Sequence, residues 1–111
     1  MFLGASCTYL VDWARGTYRL TITYEEPPSL GRLEEDHAYA ILDTAEHCEE
    51  IDRVKRVTIE WKGLGPNLKE IWPEYEDFDC YDLPQLRTEV FLNDPGLEQW
   101  FLEERPSFIE D

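Results

Sequence analysis

The sequence has 111 residues, the length of a single domain, and its 42% hydrophobic and 14% aromatic content excludes a disordered polyelectrolyte. Its 25 acidic and 10 basic residues give a formal net charge of −15, which disfavours contact with nucleic acid or anionic membranes and favours a basic partner. Solubility alone also explains a large net charge, so the sequence leaves two explanations, a basic partner or solubility.

Two stretches near the start predict a β-hairpin. Residues 7–13 (CTYLVDW) and 17–25 (TYRLTITYE) each divide into two alternating sets rich in β-branched and aromatic side chains, a period typical of strands. Between them, Gly16 can adopt the positive φ angle that a short hairpin loop requires. The two prolines of residues 25–31 (EEPPSLG) end the pattern, because proline has no N–H to donate to a neighbouring strand.

Residues 33–52 predict mainly helix. Apolar positions from Leu33 to Cys48 recur at a spacing of three and four, and the intervening residues form an acidic outer face. An alternative is a short strand over residues 37–42 (HAYAIL). Asp43 would then cap a second helix, with Glu46 at the capping-box position.

The next two strands are predicted on either side of a long loop. Residues 55–63 (KRVTIEWKG) alternate apolar with polar side chains and predict a strand. Residues 70–84 (EIWPEYEDFDCYDLP) predict a loop, with a proline near each end. Residues 86–94 (LRTEVFLND) alternate again and predict the fourth strand. A final helix is predicted over residues 93–105, with Trp100 and Phe101 on its apolar face and Pro106 beyond its end.

The predicted order is β-β-α-β-loop-β-α over residues 1–111. It indicates a single α+β domain, with an antiparallel or mixed sheet of about four strands and two helices on one face.

The cysteines are three and widely spaced: Cys7, Cys48 and Cys80. We therefore expect no zinc knuckle and no disulfide framework, and free thiols are typical of a reducing cytoplasm. The first residues lack the features of a signal peptide, and no run reaches the ~20 apolar residues of a membrane span. We expect a cytoplasmic protein, in the host cytoplasm if a phage encodes it, and no membrane partner.

Metal and nucleophile motifs are incomplete. Glu34 and His37 have the spacing of a di-iron ligand pair, but Thr44 stands where His47 would need its glutamate. No serine lies in a nucleophile elbow, and no phosphate-binding loop is present. We expect no cofactor and no catalytic residues.

The segment between Glu74 and Asp82 interleaves acidic and aromatic side chains without a base. We call it the acidic segment. In an extended chain, residues two apart project on one side about 6.6–7 Å apart, a scale comparable with the steps of a nucleic-acid backbone. The alternative is a solvated loop with aromatic anchors. As a partner-binding site the segment would use Glu74, Tyr75, Glu76, Asp77, Phe78, Asp79, Tyr81 and Asp82.

These features favour a small acidic inhibitor that binds a basic, nucleic-acid-binding enzyme as a nucleic-acid mimic. It would be similar in size and charge to phage anti-defence proteins, including anti-CRISPR proteins, and would not bind nucleic acid itself. One alternative is an immunity protein that neutralises a nuclease toxin. Others are a hydrolase with a divalent ion at Asp77, Asp79 and Asp82, and an acidic adaptor subunit.

Overall fold

The computed structural model describes residues 4–103, without the side chains of residues 100–102. The apolar face predicted for Trp100 and Phe101 rests on side chains outside this description, and Pro106 lies outside the described residues. In order, the elements are β1 (Ala5–Asp12), β2 (Thr17–Tyr24), α1 (Leu30–Glu50), β3 (Arg56–Lys62), α2 (Gly65–Lys69), β4 (Tyr75–Asp79), α3 (Leu83–Asn93) and α4 (Pro95–Glu103).

The first two strands form the predicted hairpin. They are antiparallel, with Ala5 opposite Tyr24 and Asp12 opposite Thr17. The Asp12 carboxylate accepts hydrogen bonds from two backbone N–H groups of the loop, at 3.1 and 3.2 Å. Gly16 has φ 67°, so the prediction of a positive φ angle there is confirmed. A side chain at this position would also meet the Arg53 carbonyl oxygen at 2.6 Å.

Helix α1 connects β2 to β3, so those two strands run parallel and the four-stranded sheet is mixed, with strand order β1-β2-β3-β4. The helix begins after Ser29, whose hydroxyl accepts the Arg32 N–H at 3.1 Å. Its continuity through residues 37–42 shows that the alternative of a short strand was wrong.

The fourth strand is in a different place from the one predicted. Residues 83–93 are helix α3, and the strand lies at Tyr75–Asp79 inside the predicted loop, antiparallel to β3. The alternation after Leu86 was misleading, because Leu92 is 76% exposed. Leu83, Leu86 and Val90, at helical spacing, pack against the core instead. A short apolar run supports both periods, and here packing favours the helix.

One face of the sheet forms the core. Its buried side chains pack with those of α1 and α3 in one cluster, which includes Leu20, Ile59 and Trp61. The alternate residues form the other face, which we call the open face, and most of those on β3 and β4 are exposed. The open face consists of Ser6, Thr8, Leu10 and Asp12 on β1, Thr17, Arg19, Thr21 and Thr23 on β2, Arg56, Thr58, Glu60 and Lys62 on β3, and Tyr75, Asp77 and Asp79 on β4.

The expectation of three free thiols was wrong. Cys48, near the end of α1, and Cys80, just after β4, form a disulfide with their Cα atoms 5.6 Å apart. They are 32 positions apart in the sequence, and the packing of α1 on the sheet together with the antiparallel placement of β4 beside β3 brings them together. Cys7 is the free cysteine of the described chain. The thiol argument for a reducing compartment therefore no longer holds.

Candidate functional site

The acidic segment contains an edge strand of the sheet. Strand β4 pairs with β3 on one side, and the strand order ends there. Because successive side chains point to opposite faces, the eight predicted site residues do not form one surface. Tyr75, Asp77 and Asp79 lie on the open face, whereas Glu76 and Phe78 point to the core face.

On the open face, the two aspartates have neighbours on β3. The Thr58 hydroxyl donates a hydrogen bond to Asp77 Oδ1. Asp79 Oδ1 lies 3.4 Å from Arg56 Nε, and both of these side chains are more than half exposed. Exposed ion pairs are weak, typically about 0–1 kcal/mol, so Asp79 remains available to a stronger cationic partner.

Tyr75 lies directly opposite Glu60, a carboxylate at the centre of the open face. Glu60 is only 6% exposed, and Thr21 donates a hydrogen bond to it at 3.1 Å. Burial alone would raise the pKa of Glu60, but the nearby hydroxyls of Tyr75 and Thr21 hold that pKa below its ordinary value. The same contact with Glu60 raises the pKa of the Tyr75 hydroxyl. The Tyr75 ring is 48% exposed, so it presents a surface to a partner.

We expect the Tyr75→Phe variant to lose less of its unfolding free energy in acid than the wild type does. A carboxyl whose pKa is lowered by folding stabilises the protein above its unfolded pKa, near 4.5, and this contribution disappears as pH falls through the folded value. Without the tyrosine hydroxyl the pKa of Glu60 moves back toward 4.5, so the acid-dependent loss is smaller. Urea unfolding over a pH series measures this, with Tyr81→Phe as the control. If the unfolding free energy depends on pH in the same way in Tyr75→Phe and Tyr81→Phe, the Tyr75 hydroxyl does not lower the pKa of Glu60.

Glu76 is held on the core side and is not free for a partner. His37 Nε2 donates to Glu76 Oε2 at 3.0 Å, and Trp61 Nε1 donates to Glu76 Oε1 at 3.1 Å. Phe78 packs against the core cluster. These two side chains anchor the strand, which is the role that the solvated-loop alternative assigned to its aromatic residues.

The remaining members of the segment flank the strand. Glu74 precedes it and is exposed, and its carbonyl accepts the Trp61 N–H at 2.9 Å. After the strand, Tyr81 is 92% exposed and Asp82 is exposed at the start of α3. The residues available to a partner are therefore Glu74, Tyr75, Asp77, Asp79, Tyr81 and Asp82.

Most of the acidic surplus lies outside this segment. Helices α1, α3 and α4 contain ten acidic residues and two basic ones. Both basic residues are already paired, Arg32 with Asp36 at 2.8 Å and Arg87 with Glu49 at 2.6 Å. Net charge by itself therefore does not locate a binding site, and the exposed acids of α1 provide matched controls for those of β4.

The structure contains a buried polar cluster that the sequence did not predict. Asp43 and His47, one helical turn apart on α1, are both buried, and His47 Nδ1 lies 3.2 Å from Asp43 Oδ1. The same nitrogen lies 2.8 Å from the Asp43 carbonyl oxygen, to which it donates, and Nε2 lies 3.5 Å from the Tyr18 hydroxyl. The His47 ring stacks on Tyr18, 4.5 Å between centroids. In the sequence, the signal for this cluster was an acidic residue four positions before a histidine, the spacing of one helical turn.

The protonation of this pair depends on burial and contact together. Burial raises the pKa of Asp43, although the contact with His47 opposes the change. Burial acts to lower the pKa of His47, but the contacts with Asp43 outweigh it and raise that pKa. The pair therefore holds a proton more strongly in the folded chain than in the unfolded chain.

Neither a metal centre nor a membrane helix is found among residues 4–103. No three His, Cys, Asp or Glu side chains there are grouped as ligands for an ion, so Asp77, Asp79 and Asp82 do not converge. No helix there has the length and apolarity to cross a membrane. A cleft of about 550 Å³ between the ends of β3 and β4 is lined by Trp61, Lys62, Lys69, Trp72 and Glu74, among others.

Comparison with known proteins provides no relative from which a function can be transferred. No family model, no curated protein and no solved structure matches the chain.

Proposed function

We propose that this protein inhibits a basic, nucleic-acid-binding enzyme by direct binding, with carboxylates in the place of phosphates. One observation carries the proposal: Asp77 and Asp79 project from the same face of an exposed edge strand. Alternate side chains of a strand are about 6.6–7 Å apart, whereas the charges of one nucleic-acid strand rise about 3.4 Å along the duplex axis and lie farther apart along the backbone, so the two scales are comparable but not matched.

The aromatic side chains of the segment support a protein interface. Tyr75 is about half exposed and Tyr81 is almost fully exposed, and both stand beside the acids rather than in the core. Tyrosines with this exposure are frequent hot spots of protein interfaces, and they can also occupy positions where nucleic-acid bases would stack. The two tyrosines would supply binding energy, while the aspartates would supply long-range attraction.

The net charge indicates the class of partner. A chain with a formal charge of −15 is attracted to proteins whose grooves are basic because they hold phosphates. Bacterial defence nucleases and CRISPR effectors have such grooves. A cationic nuclease toxin would fit the same surface, in which case the protein would be an immunity protein.

The test is capture of partners from host lysate at low salt, followed by an inhibition assay on any nuclease recovered. We expect Asp77→Asn with Asp79→Asn to weaken binding about tenfold, equivalent to about 1.4 kcal/mol, and to reduce its salt dependence. The matched control is Glu34→Gln with Glu35→Gln, which removes the same charge from the exposed face of α1.

Three results would count against the proposal. If the capture experiment recovers no basic protein, the proposed class of partner is wrong. If the Asn variant inhibits as well as the wild type, the acidic segment is not needed for inhibition. Binding that is unchanged from low to high salt would remove phosphate mimicry and favour an acidic adaptor, whose partner binding does not depend on these carboxylates.

A further inference from the structure

The outer side of β4 presents backbone groups that have no partner within residues 4–103. Hydrogen-bonded and non-bonded residue pairs alternate along an antiparallel ladder. Trp61 donates to the Glu74 carbonyl and Cys80 donates to the Lys55 carbonyl, so the bonded pairs also include Glu76 and Phe78. The N–H groups of Tyr75, Asp77 and Asp79 and the carbonyls of Tyr75 and Asp77 therefore point away from β3. The Asp79 carbonyl accepts the Asp82 N–H at 3.0 Å.

We infer that this edge accepts an extended, basic strand of the partner as a fifth strand of the sheet. The inference rests on the proposed function and specifies its binding mode. Strand addition uses main-chain hydrogen bonds for affinity and alternate side chains for specificity. We place the added strand antiparallel to β4, because antiparallel pairing is the more stable per residue.

The side chains of β4 determine which strand fits. A residue directly opposite Asp77 or Asp79 places its side chain on the open face, close to the carboxylate, so Lys or Arg is favoured there. The intervening residues of the added strand lie on the other face, beside Phe78, which is partly buried against the core, and beside Glu76, whose carboxylate already accepts hydrogen bonds from His37 and Trp61. The expected occupant therefore alternates basic with apolar residues.

The same charges argue against other occupants. Pairing of β4 with β4 of a second copy would bring aspartates against acidic side chains, and like charges opposite each other destabilise a sheet. At the other edge of the sheet, β1 contributes a single acid, Asp12, to the open face. Charge therefore directs a basic strand to β4 rather than to β1.

The experiment uses the whole protein and short blocked peptides in which Lys alternates with Val. We expect saturable binding, with slowed hydrogen exchange at the amides of Tyr75, Asp77 and Asp79 observed by NMR. Backbone N-methylation at the Lys positions removes bonds to β4 and should weaken binding about tenfold or more. N-methylation at the Val positions, where the N–H groups point away from β4, should leave binding nearly unchanged.

Charge-reversed variants test the same inference from the protein side. Asp77→Lys with Asp79→Lys should bind a Glu/Val peptide in preference to the Lys/Val peptide. Glu34→Lys with Glu35→Lys, an equal charge change on α1, should keep the original preference. Both pairs of residues are exposed, so the fold can be verified by hydrogen exchange in the core strands.

The inference is overturned if both N-methylated peptides bind equally, or if protection appears on β1 or α1 instead of β4. These results would show attraction by charge without strand addition. The proposed function would survive such a result if a basic nuclease still required Asp77 and Asp79. Conversely, failure to capture any basic enzyme would remove the proposed function while the peptide result stood.

Discussion

Replacing His47 by Phe will lower the free energy of unfolding by about 3–5 kcal/mol at neutral pH, because it leaves the buried carboxylate of Asp43 without a cation. Phenylalanine retains a ring to stack on Tyr18, so the loss reports mainly on the missing charge. Urea unfolding at a fixed pH measures the effect. Adding Asp43→Asn to the same variant should recover most of the loss, because the uncompensated charge is then removed.

The pH dependence of this variant has a definite sign. Burial raises the folded pKa of Asp43 above its ordinary value of 3.8. The contribution of Asp43 to stability is therefore complete below pH 3.8 and is lost as pH rises through the folded pKa. Without His47 the loss should therefore be larger at about pH 8 than at about pH 5. A loss that is independent of pH, or that the second substitution does not reverse, would mean that ring packing and not charge explains it.

The second large effect concerns the disulfide. Cys48→Ser with Cys80→Ser should lower the free energy of unfolding by about 3–4 kcal/mol, because the bond closes a loop between residues 32 positions apart and restricts the unfolded chain. Urea unfolding with and without a dithiol reductant measures it. The wild type should lose this stability on reduction, whereas the serine variant should not respond.

Cys7→Ser provides the control for that experiment. Cys7 is the unpaired cysteine of the described chain, and burial is the main reason that its pKa rises to about 11. The control variant should keep both the disulfide and the sensitivity to reductant. Titration of the unfolded, unreduced wild type should find one thiol, and a count of three would show that the bond does not form.

The elements with one strong hydrophobic period were predicted correctly. The hairpin of β1 and β2, helix α1 and strand β3 agree with their predicted ranges to within a few residues. In each of them the pattern that burial requires is also the pattern that local geometry favours. The prediction of an α+β domain with an antiparallel or mixed sheet of about four strands is confirmed, the sheet being mixed, although the fourth strand lies earlier in the chain than predicted.

Strand β4 was missed because its inward side includes a charged residue. Phe78 alone continues the expected apolar period, and Glu76 points inward to meet His37 and Trp61. These partners come from α1 and β3, far away in the sequence. An inward glutamate is acceptable only when they are in place, so its orientation is not encoded in the local pattern.

The sequence by itself determined the charge, the hairpin, helix α1, strand β3 and the identity of the acidic segment, because composition and local periodicity are properties of neighbouring residues. The tertiary structure alone decided that the segment is an edge strand with Asp77 and Asp79 outward, that Cys48 meets Cys80, and that α3 is a helix. Each of these depends on contacts between residues distant in the chain, and such contacts are selected by the packing of the whole core.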